Sequence, residues 1–165
     1  MRVMFALAVV VLAMRTSWAA EPPAEPPSKL VLVEMNCAPD DAVAVRTNLQ
    51  TALALREDKS DVTLFLDLAA IPLASSAGAD QPPKLKAETD RLLSKLRKAG
   101  VRILVCPHCA EQQNLTSKSL RPGMRFTNRE ELEAARQRAD QIFEYKPEKA
   151  NKADDDKVAQ DSRTT

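Results

Sequence analysis

Apolar residues along this chain alternate between short continuous runs and longer stripes with helical spacing. Lys29-Leu30-Val31-Leu32-Val33-Glu34-Met35 is a compact, β-branched run of the kind that parallel strands buried on both faces require. Pro39, Asp40 and Asp41 then supply helix-start chemistry, and Val45, Leu49, Ala52 and Leu53 recur at helical intervals. Residues 61–68 read as a second strand, and the Pro-, Ser- and Gly-containing residues 71–83 as a long loop. Leu85, Leu92, Leu93 and Leu96 form a second helical stripe, closed by Lys95, Arg97, Lys98 and Gly100. Residues 101–105 predict a third strand running directly into Cys106, and residues 124–127 a short fourth. Thr127 or Asn128 caps a further helix through Glu130 and Glu131. Periodicity alone leaves residues 141–145 open between helix end and strand. Strands alternating with helices imply right-handed crossovers and a mostly parallel sheet covered on both faces, a three-layer α/β/α domain.

The ends of the chain differ from this middle. Met1 and Arg2 precede an apolar run over residues 3–14, and Ser17 and Ala19 are small residues placed for cleavage after residue 19. Residues 1–19 are therefore expected to be a cleaved secretory signal, which makes the protein exported, periplasmic or otherwise extracytoplasmic. The run falls short of the roughly 20 residues that span a bilayer, so membrane attachment enters only if the signal stays uncleaved. Residues 20–27 hold two Pro-Pro pairs and read as an extended spacer. Residues 28–145 form the predicted domain, and residues 146–165, with Asp154-Asp155-Asp156 and no aromatic side chain, a charged disordered tail.

Composition removes whole classes of chemistry. The 24 basic and 23 acidic residues leave a net charge of +1, with no basic excess for nucleic acid. The three glycines, Gly78, Gly100 and Gly123, are too far apart to write a GxGxxG or GxSxG motif. A single histidine, His108, excludes HExxH zinc sites and leaves little room for a Ser-His-Asp triad. No cofactor is expected, and the remaining chemistry runs on cysteine.

Cys106-Pro107-His108-Cys109 is a CxxC unit at a strand-to-helix handover. With Cys106 as N-cap and Pro107 as the first helical residue, a Cys106 thiolate would accept free backbone N–H groups and feel the positive helix end. Protonated His108 would stabilise the same anion, and Cys109, one turn away, is placed to resolve a disulfide or persulfide on Cys106. Bland readings stand beside this one. A structural disulfide suits an oxidising compartment, although so short a loop adds little unfolded-state entropy. A structural zinc site needs four ligands, which only Cys37, Cys106, Cys109 and His108 offer, with His108 splayed from its flanking cysteines. Cys37, just past the first strand, is either a packing residue or a relay thiol. If the first and third strands are neighbours, as in a 2-1-3-4-5 sheet, Cys37 faces Cys106 across the switch point. Asn114-Leu115-Thr116 fits a glycosylation sequon by pattern alone.

CPHC invites comparison with thioredoxin-like oxidoreductases, yet only 36 residues, 110–145, follow it before the tail. That is too short for the rest of such a domain, and a degenerate thioredoxin-like fold is kept only as the alternative. The order Leu30-Val31-Leu32-Val33, Val62-Thr63-Leu64-Phe65-Leu66, Gly100 through Ala110 around the CxxC, Leu120-Arg121-Pro122-Gly123-Met124, and Ala139-Asp140-Gln141-Ile142-Phe143 resembles DsrE/DsrF-like (YchN-type) proteins. The resemblance runs over residues 29–145 and is sharpest at Cys106. It implies a five-stranded α/β domain of flavodoxin-like order, homo-oligomers, and sulfur relay through a cysteine persulfide with a donor or acceptor protein. It maps the family cysteine onto Cys106 and the second onto Cys109, and turns residues 141–145 into a last strand. The function expected is persulfide or thiol-disulfide chemistry at Cys106 and Cys109, with His108 and Cys37 as further candidates. The alternative is a non-catalytic oligomeric binding module whose CxxC serves as a structural disulfide or metal site.

Overall fold

The computed structural model describes residues 28–144; the expected signal, spacer and tail lie outside them. Five strands, β1 (Leu30–Met35), β2 (Asp61–Leu66), β3 (Arg102–Val105), β4 (Met124–Phe126) and β5 (Gln141–Glu144), form one sheet in which every pairing is parallel. The helices are α1 (Ala42–Glu57), α2 (Pro83–Lys98), α3 (Pro107–Gln112) and α4 (Arg129–Arg138).

Alternation along each strand sorts the core into two layers. Val31, Val33, Met35, Val62, Leu64, Leu66, Ile103 and Val105 face α1 and α2 and are buried with Val45, Leu49, Leu92, Leu93 and Leu96. Leu32, Phe65 and Leu104 point to the other face, where Leu132 and Ala139 cover them. On that face Glu34 is paired with Arg136 of α4 at 2.7 Å. The predicted caps of α1 and α4 form. Asp41 accepts the Ala44 N–H at 3.0 Å and Asn128, rather than Thr127, accepts the Glu131 N–H at 2.7 Å. Gly100, at φ +81, takes the left-handed position after α2 where a side chain would be strained.

Strand order departs from expectation. The sheet runs β4-β3-β2-β1-β5, not 2-1-3-4-5. The chain winds steadily from β1 through β2 and β3 to β4, then returns across the opposite face by α4 to place β5 beside β1. β2 therefore separates β1 from β3, and the premise that put Cys37 opposite Cys106 does not hold. The expected loop over residues 71–83 is also only partly a loop. Leu68–Ala74 is a 3-10 segment whose Ala70, Ile71, Leu73 and Ala74 are fully buried, so its apolar side chains serve as core. Residues 141–144 form the edge strand that the resemblance implied, with all four residues exposed.

Candidate functional site

Three strand ends meet at the carboxyl edge of the sheet, where parallel α/β domains build their sites. Registers align Met35 with Leu66 and Leu66 with Val105, so the residues after β2 and β3 leave the sheet side by side. The backbone ladder extends one step further: Asp67 N–H donates to Met35 O at 3.0 Å and Cys106 N–H to Leu66 O at 3.0 Å. Asp67 and Cys106 are thereby fixed next to each other before any side chain is considered.

Cys106 is the N-cap of α3, with extended backbone, and Pro107 opens the helix as expected. The expected cap bond is absent, because the Cys106 thiol accepts no helix N–H. Cys106 is half-buried and touches both hydrophobic clusters, whereas Cys109, one turn on, is buried. Its partner is a residue the sequence reading passed over. The Cys109 thiol donates to Asp67 Oδ1 at 2.9 Å, and the same oxygen receives the Leu68 N–H at 2.7 Å. Burial first, and then the hydrogen bond to Asp67, push the Cys109 thiol up to about 12. Asp67, Cys106 and Cys109 bring their ligand atoms within 4.8 Å of one another.

Asp67 is held by a strained turn. Leu68 has φ +46, an unfavourable conformation for a residue with a branched side chain, and that side chain is 58 % exposed. Gln113, at the end of α3, donates through Nε2 to Leu68 O at 3.1 Å and ties the turn to the cysteine helix. The signal for Asp67 was a carboxylate ending an otherwise apolar run, at the strand end where a parallel sheet places its functional groups.

The other two candidates stand apart from this cluster. His108 is exposed and pairs through Nε2 with Gln112 Nε2 at 3.1 Å. Cys37 is 4 % exposed, and Asn48 Nδ2 approaches its sulfur at 3.9 Å while donating to Ala44 O at 2.9 Å. Burial, and then the charge of Asp41, push its thiol up to about 11. A cavity of about 360 Å³ lies at the opposite edge, under α4, lined among others by Leu30, Asp61, Arg102 and Arg138, and touches none of the cysteines.

These features define a three-layer α/β protein with a thiol pair and a carboxylate at the ends of two central strands. The model of the DsrE/DsrF-like family matches residues 29–145, and the chain belongs to that family, which is associated with sulfur relay. The solved structure of the YchN protein from E. coli is similar over 71 % of this chain and 99 % of its own, at 23 % identity and a TM-score of 0.62. MTH1491 from Methanobacterium thermoautotrophicum, a protein of unknown function, covers 72 % of this chain and 100 % of its own at 13 % identity and a TM-score of 0.55. At these identities the likenesses establish the fold. No curated protein matches the chain.

Proposed function

We propose that this is an exported sulfur-handling protein in which Cys106 receives sulfane sulfur and Cys109 resolves it. The convergence of Cys106, Cys109 and Asp67 within 4.8 Å carries this reading. Half-buried Cys106 is the thiol a donor reaches, while buried Cys109 is kept protonated in its bond to Asp67. The Cys106 thiolate attacks the outer sulfur of a donor persulfide, forming a new S–S bond, and the donor departs as a thiolate that takes up a proton. The Cys106 persulfide then has two exits. An acceptor thiolate removes the outer sulfur and regenerates Cys106. Otherwise Cys109 passes its proton to Asp67 along the 2.9 Å hydrogen bond and attacks the Cys106 sulfur, giving a Cys106–Cys109 disulfide and hydrosulfide. An external dithiol must reduce that disulfide before the next cycle. The same pair supports thiol-disulfide exchange with a disulfide in place of the donor persulfide.

Export rests on the signal-like residues 1–19, and assembly on the exposed edge strand β5, where Ile142 is 50 % and Phe143 39 % exposed. The deciding experiment incubates the reduced protein with a low-molecular-weight persulfide and reads intact and peptide masses. The expected result is one added sulfur on Cys106, which persists longer in Cys109→Ser. A Cys106 that gains no sulfur but forms mixed disulfides returns the site to thiol-disulfide exchange. A Cys106 that does neither leaves the pair structural.

A further inference from the structure

We propose that the reduced site is also a three-ligand centre for a thiophilic divalent cation of the zinc type, with Asp67, Cys106 and Cys109 as ligands. It uses the same thiols as the sulfur reading, so a bound ion competes with sulfur transfer at Cys106. The argument is one of ligand type and spacing. Two thiolates and a carboxylate form a donor set that zinc accepts, and soft sulfur ligands disfavour magnesium and calcium. In a tetrahedral site with Zn–S near 2.3 Å and Zn–O near 2.1 Å, ligand atoms lie about 3.6–3.8 Å apart. Here all three lie within 4.8 Å, and Cys109 Sγ and Asp67 Oδ1 are at 2.9 Å. Closing the set about an ion needs adjustments of about 1 Å or less, within the reach of side-chain torsions in these ligands.

The ligands come from two anchored elements, and the groups that hold them are in place. Asp67 is pinned through its backbone to Met35, and Cys106 to Leu66. The Leu68 N–H holds Asp67 Oδ1 at 2.7 Å, a contact of the kind that orients a metal ligand. On binding, the cation replaces the thiol proton shared between Cys109 and Asp67, and the protons of both cysteines pass to solvent. Cys106 is only half-buried, so the fourth position opens outward to water or an incoming thiolate. Three protein ligands and one open position make an exchanging centre, in contrast to the closed four-ligand sites that stabilise folds. The four-ligand zinc set weighed from sequence is not the one assembled, since His108 and Cys37 lie elsewhere and Asp67 takes part.

The test titrates the reduced full-length protein with Co²⁺ and follows thiolate-to-cobalt charge-transfer and tetrahedral d–d absorption, then displaces the cobalt with Zn²⁺. One equivalent with bands of a two-thiolate site is expected. Cys106→Ser and Cys109→Ser should each lose those bands. Asp67→Asn keeps an oxygen that caps Leu68 but removes the carboxylate charge, and should weaken Zn²⁺ more than about tenfold, the least that loss of even an outer-shell partner costs. Cys37→Ser and His108→Ala should bind as the parent does. Absence of the bands, an Asp67→Asn variant that binds normally, or equal loss in Cys37→Ser would each overturn the proposal. Persulfide labelling of the same samples separates the two readings. Sulfur uptake without cobalt bands sinks only the metal centre, and bands without sulfur uptake sink only the sulfur chemistry.

Discussion

Leu68 should prefer glycine to alanine, against the ordinary order. At a position with negative φ, alanine is more stabilising than glycine by about 0.5–1 kcal/mol because glycine loses more backbone entropy on folding. Leu68 sits at φ +46, where any residue with a Cβ carries about 1–2 kcal/mol of strain that glycine lacks. The two terms oppose each other, and the strain is the larger, so Leu68→Gly should be more stable than Leu68→Ala by roughly 0.5–1 kcal/mol. Both variants lose the same leucine packing, and with 58 % of the residue exposed that common loss is modest and cancels in the comparison. For a domain of this size the difference amounts to a few degrees in Tm. Parallel thermal and urea unfolding of the reduced variants measures it. An alanine variant as stable as the glycine variant, or more so, would show that the turn presenting Asp67 to Cys109 is relaxed, and the account of how that carboxylate is held would fall.

Three further outcomes follow from the same structure. Cys37, buried and pushed up to about 11, should resist alkylation near neutral pH in the folded protein and react at once in denaturant, and rapid native labelling would contradict its placement. Glu131 is held down to about 2, first by the hydrogen bond from Arg125 and then, against the cost of burial, by Thr127. Its folded value is depressed, so the stability it adds is full above its ordinary value of 4.5 and is lost as pH falls toward about 2. With the side chain 32 % exposed, that contribution is of order 1 kcal/mol after solvent screening, so parent and Glu131→Gln melting curves should differ near neutral pH and converge at the acid end. The proposed assembly through β5 predicts that Ile142→Glu together with Phe143→Glu lowers the mass read by light scattering while leaving the circular dichroism unchanged, and an unaltered mass would refute assembly through β5.

Local patterns were legible because local physics writes them. The run from Leu30 to Met35 reads as a buried strand whatever lies beside it, and Pro107 after a strand marks a helix start. The spacing of Leu85, Leu92, Leu93 and Leu96 likewise defines a buried helix face. Which strands pair is not a local property. Val31 would sit as comfortably beside Ile103 as beside Val62, and the difference between the expected and observed orders lies in the path of the crossovers. Cys37 lost its supposed partner through that error. Asp67 was missed for a different reason, since in Asp61 to Leu68 it looks like the polar residue that ends a buried strand. Its role appears only when β2 and β3 are side by side and α3 turns Cys109 back toward it.

The pairing of β5 with β1 joins the two ends of the domain. Asp140 closes on Leu30 through two 2.8 Å hydrogen bonds across 110 residues, whereas β1 meets β2 after about thirty. Closing the longer loop costs only about 1 kcal/mol more, but β5 buries none of its four residues to offset it. The last strand is thus the latch of the sheet, an exposed edge that joins late, and its amides should exchange with solvent sooner than those of buried β2. A chain that emerges N-terminus first keeps one flank of β1 open until residue 144 is free. In that interval the flank Val31–Glu34 is an open strand edge, the kind of surface that a folding chain must keep from pairing with its neighbours.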